Sequence, residues 1–314
     1  TIEALEFSGQ ELDRISSLFF NINAAETNQT IQEIAQKVSP LLSDFGNDVM
    51  LNTSLFERVK TVYNSNNEML NEEQKTLLNK RYKSFSRNGA NLTKSEKDEL
   101  RKIDKELSQL KLKFGENLLA ESNHFKMIIK KKQDLAGLPE DVIESAKQLA
   151  ESNEENGWMI TLDYPSYVPF MTYSNNRELR KKLALAFGKK AFKNNQYDNQ
   201  NIVLQIAKLR YRRATLLGYK THAEFVLEER MAKSPKKVLT FLNELLEKAK
   251  PAAQKEFDEL EEYAINLDNI KKLEKWDSLY YSEKLKQKLF HLDEEQLKPF
   301  FKLENVLKGA FTIA

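Results

Sequence analysis

Along most of this chain apolar side chains recur at steps of three and four, with charged or amide residues between them, which is the period of a helix face. Leu12, Ile15, Leu18, Phe19 and Ile22 mark a first helix. Ile31, Ile34, Ala35 and Val38 mark a second, which begins near Thr30 and meets Pro40. A third carries Leu55, Phe56, Val59, Val62 and Tyr63 ahead of the polar stretch NSNNE. Asn71 and Gln74 form a capping box for a helix with Leu77, Leu78, Arg81, Tyr82 and Phe85, closed by Gly89. Thr93 with Glu96 repeats that device before a long stripe of Leu100, Ile103, Leu107, Leu110, Phe114 and Leu118. So few heptads fit one arm of a helical hairpin in a larger bundle better than a coiled-coil seam.

The pattern changes after His124. HFKMIIKKK alternates briefly, and WMITLDYPSYVPFMTY is rich in β-branched and aromatic residues around Pro165. These features predict strands near 125–130, 158–162 and 168–173, the last two pairing as a hairpin. A short helix after Leu138-Pro139 carries Val142, Ile143, Ala146 and Leu149. From Asn175 onward the text is helical again, with Asn175 (before Glu178), Asn199, Thr221 (before Glu224) and Ser234 (before Pro235) as N-caps. Pro251 lies inside the helix that starts at Pro235 and predicts a kink or break there. The fold class is therefore mainly α: a multi-helix bundle with a small antiparallel β-ribbon at about residues 125–173. Three segments follow: 1–124 as helical hairpins, 125–174 as the β-ribbon with its short helix, and 175–314 as a further helical region.

The last residues, FKLENVLKGAFTIA, place Leu303, Val306, Leu307, Ala310, Phe311 and Ala314 on one helix face. The stripe is still running at Ala314, and it is the resemblance carried by the stretches quoted below that implies a chain cut before its partner surface. Fully burying each of its large side chains is worth about 1.5–3 kcal/mol, so self-association through this apolar face is expected of the fragment.

Composition narrows the chemistry. In 314 residues, 40% are apolar and 31% charged, as in globular proteins. Lys and Arg number 49 against 47 Asp and Glu, which argues against a dedicated nucleic-acid surface. No apolar run reaches membrane-spanning length. The absence of cysteine removes disulfides, thiolate zinc sites and a Cys nucleophile, and favours the cytoplasm over the periplasm. Nine glycines and seven prolines are few, and no glycine-rich phosphate loop or G-x-S-x-G elbow occurs.

A helical zinc site of the H-E-x-x-H type needs two imidazoles four residues apart on one face. Four residues beyond His124, His222 and His291 stand Ile128, Val226 and Glu295, so the motif is absent. Structural roles are assigned to all three histidines. The acidic run FDELEEYAINLD (257–268) reads as a solvated helix face, and Arg210, Arg212 and Arg213 beside Tyr211 read as packing plus ion pairs. No catalytic, cofactor-binding or metal-binding residue is assigned to any position of the chain.

Three ordered stretches nevertheless carry a resemblance: GWMITLDYPSYVPFMTYSNNRELRKKL (157–183), the segment from DNQNIVLQIAKLRYRRATLLGYKTHAEFVLEERM through DELEEYA (198–264), and WDSLYYSEKLKQKLFHLDEEQLKPFFKLENVLKGAFTIA (276–314). Together with SGQELDRISSLFFNINAAETN and LTKSEKDELRKIDKELSQLKLKFGENLL, they resemble the thimet oligopeptidase and peptidyl-dipeptidase family of zinc metallopeptidases, in particular its bacterial dipeptidyl carboxypeptidase branch. The resemblance implies a two-lobed helical fold around a deep channel that admits short peptides. It implies zinc bound through an H-E-F-G-H motif downstream of everything present here, and so an incomplete fold whose catalytic residues lie outside this chain. These residues would then shape the channel wall, with the remainder of the same polypeptide as partner, and would be inactive alone. Tyr164, Tyr167 and Tyr173 read as packing in the β-ribbon rather than as peptide contacts. The alternative is a self-contained, non-catalytic helical scaffold or interaction module, which predicts Leu303, Val306, Leu307 and Phe311 covered from within.

Overall fold

The computed structural model describes residues 2–65, 68–292 and 294–314. Thr1 and two asparagines of the polar stretch, Asn66 and Asn67, lie outside the described residues, as does Asp293. The fold is mainly helical, with a single two-stranded antiparallel sheet among the described residues. The chain divides into two compact units: residues 1–118 with 198–241, and residues 119–197 with 242–314.

The helices run in chain order as α1 (Ile2–Phe7), α2 (Gln10–Ala25), α3 (Gln29–Met50), α4 (Thr53–Asn64), α5 (Glu72–Arg87) and α6 (Lys94–His124). The strand β1 (Met127–Ile129) comes next, followed by α7 (Glu140–Ser152), strand β2 (Trp158–Ile160), α8 (Tyr164–Tyr173) and α9 (Arg177–Gly188). The chain ends with α10 (Gln200–Leu216), α11 (His222–Leu227), α12 (Pro235–Asp268), α13 (Ser278–Phe290) and α14 (Leu303–Ile313).

Local chemistry sets most of these boundaries. The Asn71 side chain accepts from the Gln74 amide at 2.8 Å while Gln74 accepts from the Asn71 amide at 3.2 Å, completing the capping box of α5. At the head of α6, Glu96 accepts from both the backbone amide and the hydroxyl of Thr93, each at 2.8 Å. Thr221 caps α11 by accepting from the Glu224 amide at 3.1 Å. The cap of α9 falls one residue later than the sequence predicts. Asn176 accepts from Leu179 N at 3.1 Å, and Asn175 instead accepts from the Tyr280 hydroxyl at 3.0 Å. Asn199 stands at the head of α10, but its side chain donates to the Phe114 carbonyl and accepts from Asn117, both at 3.0 Å.

In the first unit a small core forms where α4 meets α5. Phe56, Val59, Phe85 and Ala90 are buried, Phe56 and Phe85 stack with ring centres 6.0 Å apart, and Tyr63 lies on Tyr82 at 4.0 Å. On α6 the predicted stripe is buried at Leu100, Ile103 and Leu107, whereas Phe114 is partly exposed.

The larger core belongs to the second unit. Met127 and Ile129 of β1, Ile160 of β2, Phe170 and Met171 of α8 and Leu183 of α9 are all essentially without solvent contact. β1 pairs with β2 through Met127–Ile160, Ile128–Met159 and Ile129–Trp158. Gly157 takes φ of +117°, and a Cβ there would fall inside van der Waals distance of the Ile129 carbonyl oxygen, so only glycine lets the two strands close.

Three further expectations are corrected. Residues 168–173 are not a strand, and 158–162 has no hairpin partner there. Its partner is β1, reached across α7. Pro165 fixes φ near the start of α8, and Tyr167 with the buried Phe170 and Met171 places apolar groups at i, i+3 and i+4. Finally, Pro251 does not break α12, which runs unbroken from Pro235 to Asp268. Pro40 likewise lies within α3. Each proline removes one intrahelical donor, and the turns on either side carry the helix past it.

Leu183, at 0% exposure, tests the second core. Leu183→Ala is expected to cost about 2–5 kcal/mol, read as a lowered urea midpoint with an unchanged slope.

Candidate functional site

Two side-chain constellations stand out, one in each unit. In the second unit Asp277, wholly buried at the N-terminus of α13, holds two guanidinium groups from α9. Arg177 approaches both carboxylate oxygens, its nearest contact being 2.6 Å, and Arg180, 1% exposed, reaches Oδ1 at 3.1 Å. Arg180 also donates to the carbonyls of Ser174 at 2.7 Å and Trp276 at 3.2 Å, and lies over the Tyr280 ring at 3.9 Å. Burial alone would raise the carboxyl pKa of Asp277. Hydrogen bonds from Arg177, the Glu274 amide and Arg180 outweigh it, so the value falls below the ordinary range. Beside it the Tyr281 phenol donates to Asp268 at 3.0 Å, and burial together with that acceptor pushes its pKa well upward. Both carboxylate oxygens of Asp277 are taken up by these donors, which makes the network a structural clamp.

In the first unit a cleft of about 850 Å³ opens among α1, α2, α3, α5, α6, α10 and α11. Its lining includes the apolar side chains of Leu12, Leu42 and Phe45. The lining also includes Lys111 of α6, Arg210 and Arg213 of α10, and His222 of α11, the three cations near enough to act on the imidazole. Arg213 is tied to Asp104 at 2.6 Å and to Asn88 at 3.3 Å. His222 packs against Phe225, and its Nδ1 is buried without a hydrogen-bond partner. Burial first, then the charges of Arg210, Arg213 and Lys111, hold its pKa below the ordinary imidazole value. Close to the cleft Arg87 joins α5 to the following helices. It donates to Glu228 at 3.0 Å, to Tyr219 at 3.2 Å and to the Phe225 carbonyl.

His124 ends α6 with its ring 6.3 Å from Tyr197, His222 opens α11 in the cleft, and His291 caps α13 in the left-handed conformation. Among the described residues no group of three or more His, Asp or Glu side chains is arranged to hold a metal ion. Of the arginine cluster, Arg212 pairs with Glu99 at 2.6 Å and Arg213 with Asp104, as ion pairing predicts, whereas Arg210 faces the cleft. The acidic run of α12 is largely solvated, but Glu261 accepts from Leu273 N at 3.0 Å and Asp268 from Tyr281. Tyr164, Tyr167 and Tyr173 sit on α8, not in the ribbon; Tyr167 stacks on Phe187 at 4.2 Å and Tyr164 meets the same ring edge-on.

This helical body, with a clamp and a cleft but no metal-binding cluster among its described residues, is similar in sequence to a class of peptidases. Residues 170–314 match the model of Peptidase family M3. Oligopeptidase A of Salmonella typhimurium is 31% identical over 307 residues, covering 96% of this chain and 45% of that protein. Dipeptidyl carboxypeptidase of Escherichia coli is 32% identical over 317 residues, covering the whole chain and 46% of that protein. An organellar oligopeptidase A of Arabidopsis thaliana is 29% identical over 323 residues. The chain thus spans about half the length of the curated relatives it matches. No helix among the described residues is long and apolar enough to cross a membrane.

The clamp yields a pH prediction. Because the folded Asp277 pKa is depressed, its stabilisation is complete above the unfolded value near 3.8 and is lost as pH falls through the lower folded value. Asp277→Asn leaves Arg180 buried without a counter-charge and is expected to cost about 3–5 kcal/mol at neutral pH. Chemical unfolding at pH 7 and pH 3 checks this: the gap between wild type and variant narrows at the lower pH.

Proposed function

We propose that this chain is part of a zinc-dependent peptidase that hydrolyses short peptides, as a peptidyl-dipeptidase or oligopeptidase. In this reading its helices shape the substrate channel and limit what enters. The observation that carries it is the similarity over nearly the whole chain to oligopeptidase A and dipeptidyl carboxypeptidase. The relatives carry roughly as much sequence again outside the aligned region, and in this reading the metal is held by residues equivalent to part of it.

Zinc does not fit the residues present. The three histidines stand on separate elements, and none has a second imidazole four residues on. No step of hydrolysis is therefore assigned to a side chain of this chain.

The exposed apolar surface of the second unit supports an unfilled interface. On α14, Leu303 is 67% exposed and Phe311 79%, with Val306 and Leu307 about half exposed. A self-contained scaffold would cover these side chains with its own residues. On α12, Leu242, Leu245 and Leu246 are likewise open. We propose that further polypeptide of the same protein covers the α14 face, and that the 314-residue chain self-associates through it when purified alone.

The purified chain is expected to bind no stoichiometric zinc and to leave blocked tri- and tetrapeptides intact. The natural gene product is expected to cleave them in a chelator-sensitive manner. Elemental analysis and chromatographic peptide assays read both. Zinc at one equivalent in the 314-residue chain, or turnover by the gene product in excess chelator, would overturn the reading. Phe311→Asp is expected to shift the purified chain toward monomer in sedimentation experiments by removing one of the most exposed apolar side chains.

A further inference from the structure

The cleft of the first unit is the feature that neither the clamp nor the peptidase relationship uses. Four of its charged groups are paired with one another. Glu6 of α1 is paired with Arg81 of α5, and Asp104 of α6 with Arg213 of α10. What remains on its walls is Lys111 and Arg210 against Asp13 of α2, with His222 beside them. No hydrogen bond or ion pair among the described residues engages Lys111 or Arg210, and both are exposed. Two unpaired cations thus lie near an imidazole in a cleft that Leu12, Leu42 and Phe45 also line with partly exposed apolar surface. Leu12 is 38% exposed and Phe45 51%.

We propose that this cleft binds a small anion carrying an apolar body, with its carboxylate between Lys111 and Arg210 and its apolar part against Leu12, Leu42 and Phe45. Several observations lead there. A cleft of about 850 Å³ lies within the range of small-ligand sites, which pair an apolar lining with a few convergent polar groups. A flexible ammonium and a planar guanidinium on different helices can take the two oxygens of one carboxylate, with Arg supplying paired donors. A neutral His222 lies near both. Protonated, it would carry a buried Nδ1–H without an acceptor, beside Arg210, Arg213 and Lys111. An anion seated between Lys111 and Arg210 offsets that repulsion, so binding takes up a proton at His222. Glu6 and Asp104 stay engaged by their arginines, which leaves Asp13 as the one acid opposing the ligand.

Two sources share this chemistry: the free C-terminus of a peptide ending in apolar residues, and a medium-chain fatty acid. The inference stands on the cleft alone and does not need the peptidase reading.

The test uses the full 314-residue chain labelled at histidine. It has only three imidazoles, and His222→Gln identifies the resonance that belongs to the cleft. The probes are N-acetyl-Phe-Leu with a free carboxylate, the same dipeptide as its amide, octanoate, and inorganic phosphate. N-acetyl-Phe-Leu is expected to perturb the His222 ring selectively and to raise its apparent pKa by about half to one unit. The amide at equal concentration leaves it unmoved. The double variant Lys111→Gln with Arg210→Gln is expected to bind about tenfold or more weakly, whereas Lys236→Gln, outside the cleft, binds as wild type. Lys111 and Arg210 are surface groups, and an unchanged melting curve confirms that the double variant is folded. Octanoate binding more tightly than the dipeptide keeps the site and assigns it to fatty acids; the reverse assigns it to peptide C-termini. Equal binding of acid and amide, wild-type affinity in the double variant, or a perturbation confined to His124 or His291 overturns the proposal. Phosphate binding as tightly as the dipeptide overturns its apolar half.

Discussion

A carboxylate sealed from water is tolerable only if its charge is met where it stands, and that constraint organises the second unit. Asp277 has two cations from one helix, and each cation is further satisfied by backbone carbonyls: Lys272 for Arg177, Ser174 and Trp276 for Arg180. The Tyr280 ring that covers Arg180 sends its hydroxyl to Asn175, while Tyr281 reaches Asp268 at the end of α12. The turn before α9, the head of α13 and the end of α12 are therefore positioned by a single set of hydrogen bonds. The apolar core around Met127, Ile160, Phe170 and Leu183 supplies the non-directional part of the stability. The clamp supplies direction.

The helical architecture was legible because periodicity and caps are local. Asn71 with Gln74, Thr93 with Glu96 and Thr221 all do in three dimensions what their spacing predicts. The misreading of 168–173 arose where two signals compete. Aromatic and β-branched content favours a strand, whereas Pro165 together with Tyr167, Phe170 and Met171 follows a helical period. The period was the better guide. The strand pairing was harder to foresee, since β2 has its partner on the far side of α7 and no turn sequence marks that register.

The clamp and the cleft were not legible for a different reason. In RELRKKL, Arg180 reads as one of several surface cations, and nothing nearby in sequence announces Asp277. Lys111, Arg210 and His222 come from three elements, and each alone looks like an ordinary exposed residue. Convergence of that kind is a property of the fold. Arg212 and Arg213 behaved as ion-pairing residues of a helical bundle should, and it is the unpaired Arg210 beside them that gives the cleft its character. The similarity to M3 peptidases rests on ordered stretches spread over the chain, while the two constellations rest on side-chain geometry.

The partners of the clamp lie 97 and 100 residues apart along the chain. On a ribosome, α9 emerges well before Asp277 does, and for that interval Arg180 lacks the carboxylate it pairs with in the folded unit. A guanidinium in that state stays in water, and α9 cannot sink fully onto the strands and α8 while it does. Closure of the second unit is therefore tied to the arrival of α13, whereas the α4–α5 core of the first unit, made of close neighbours in sequence, has no such wait.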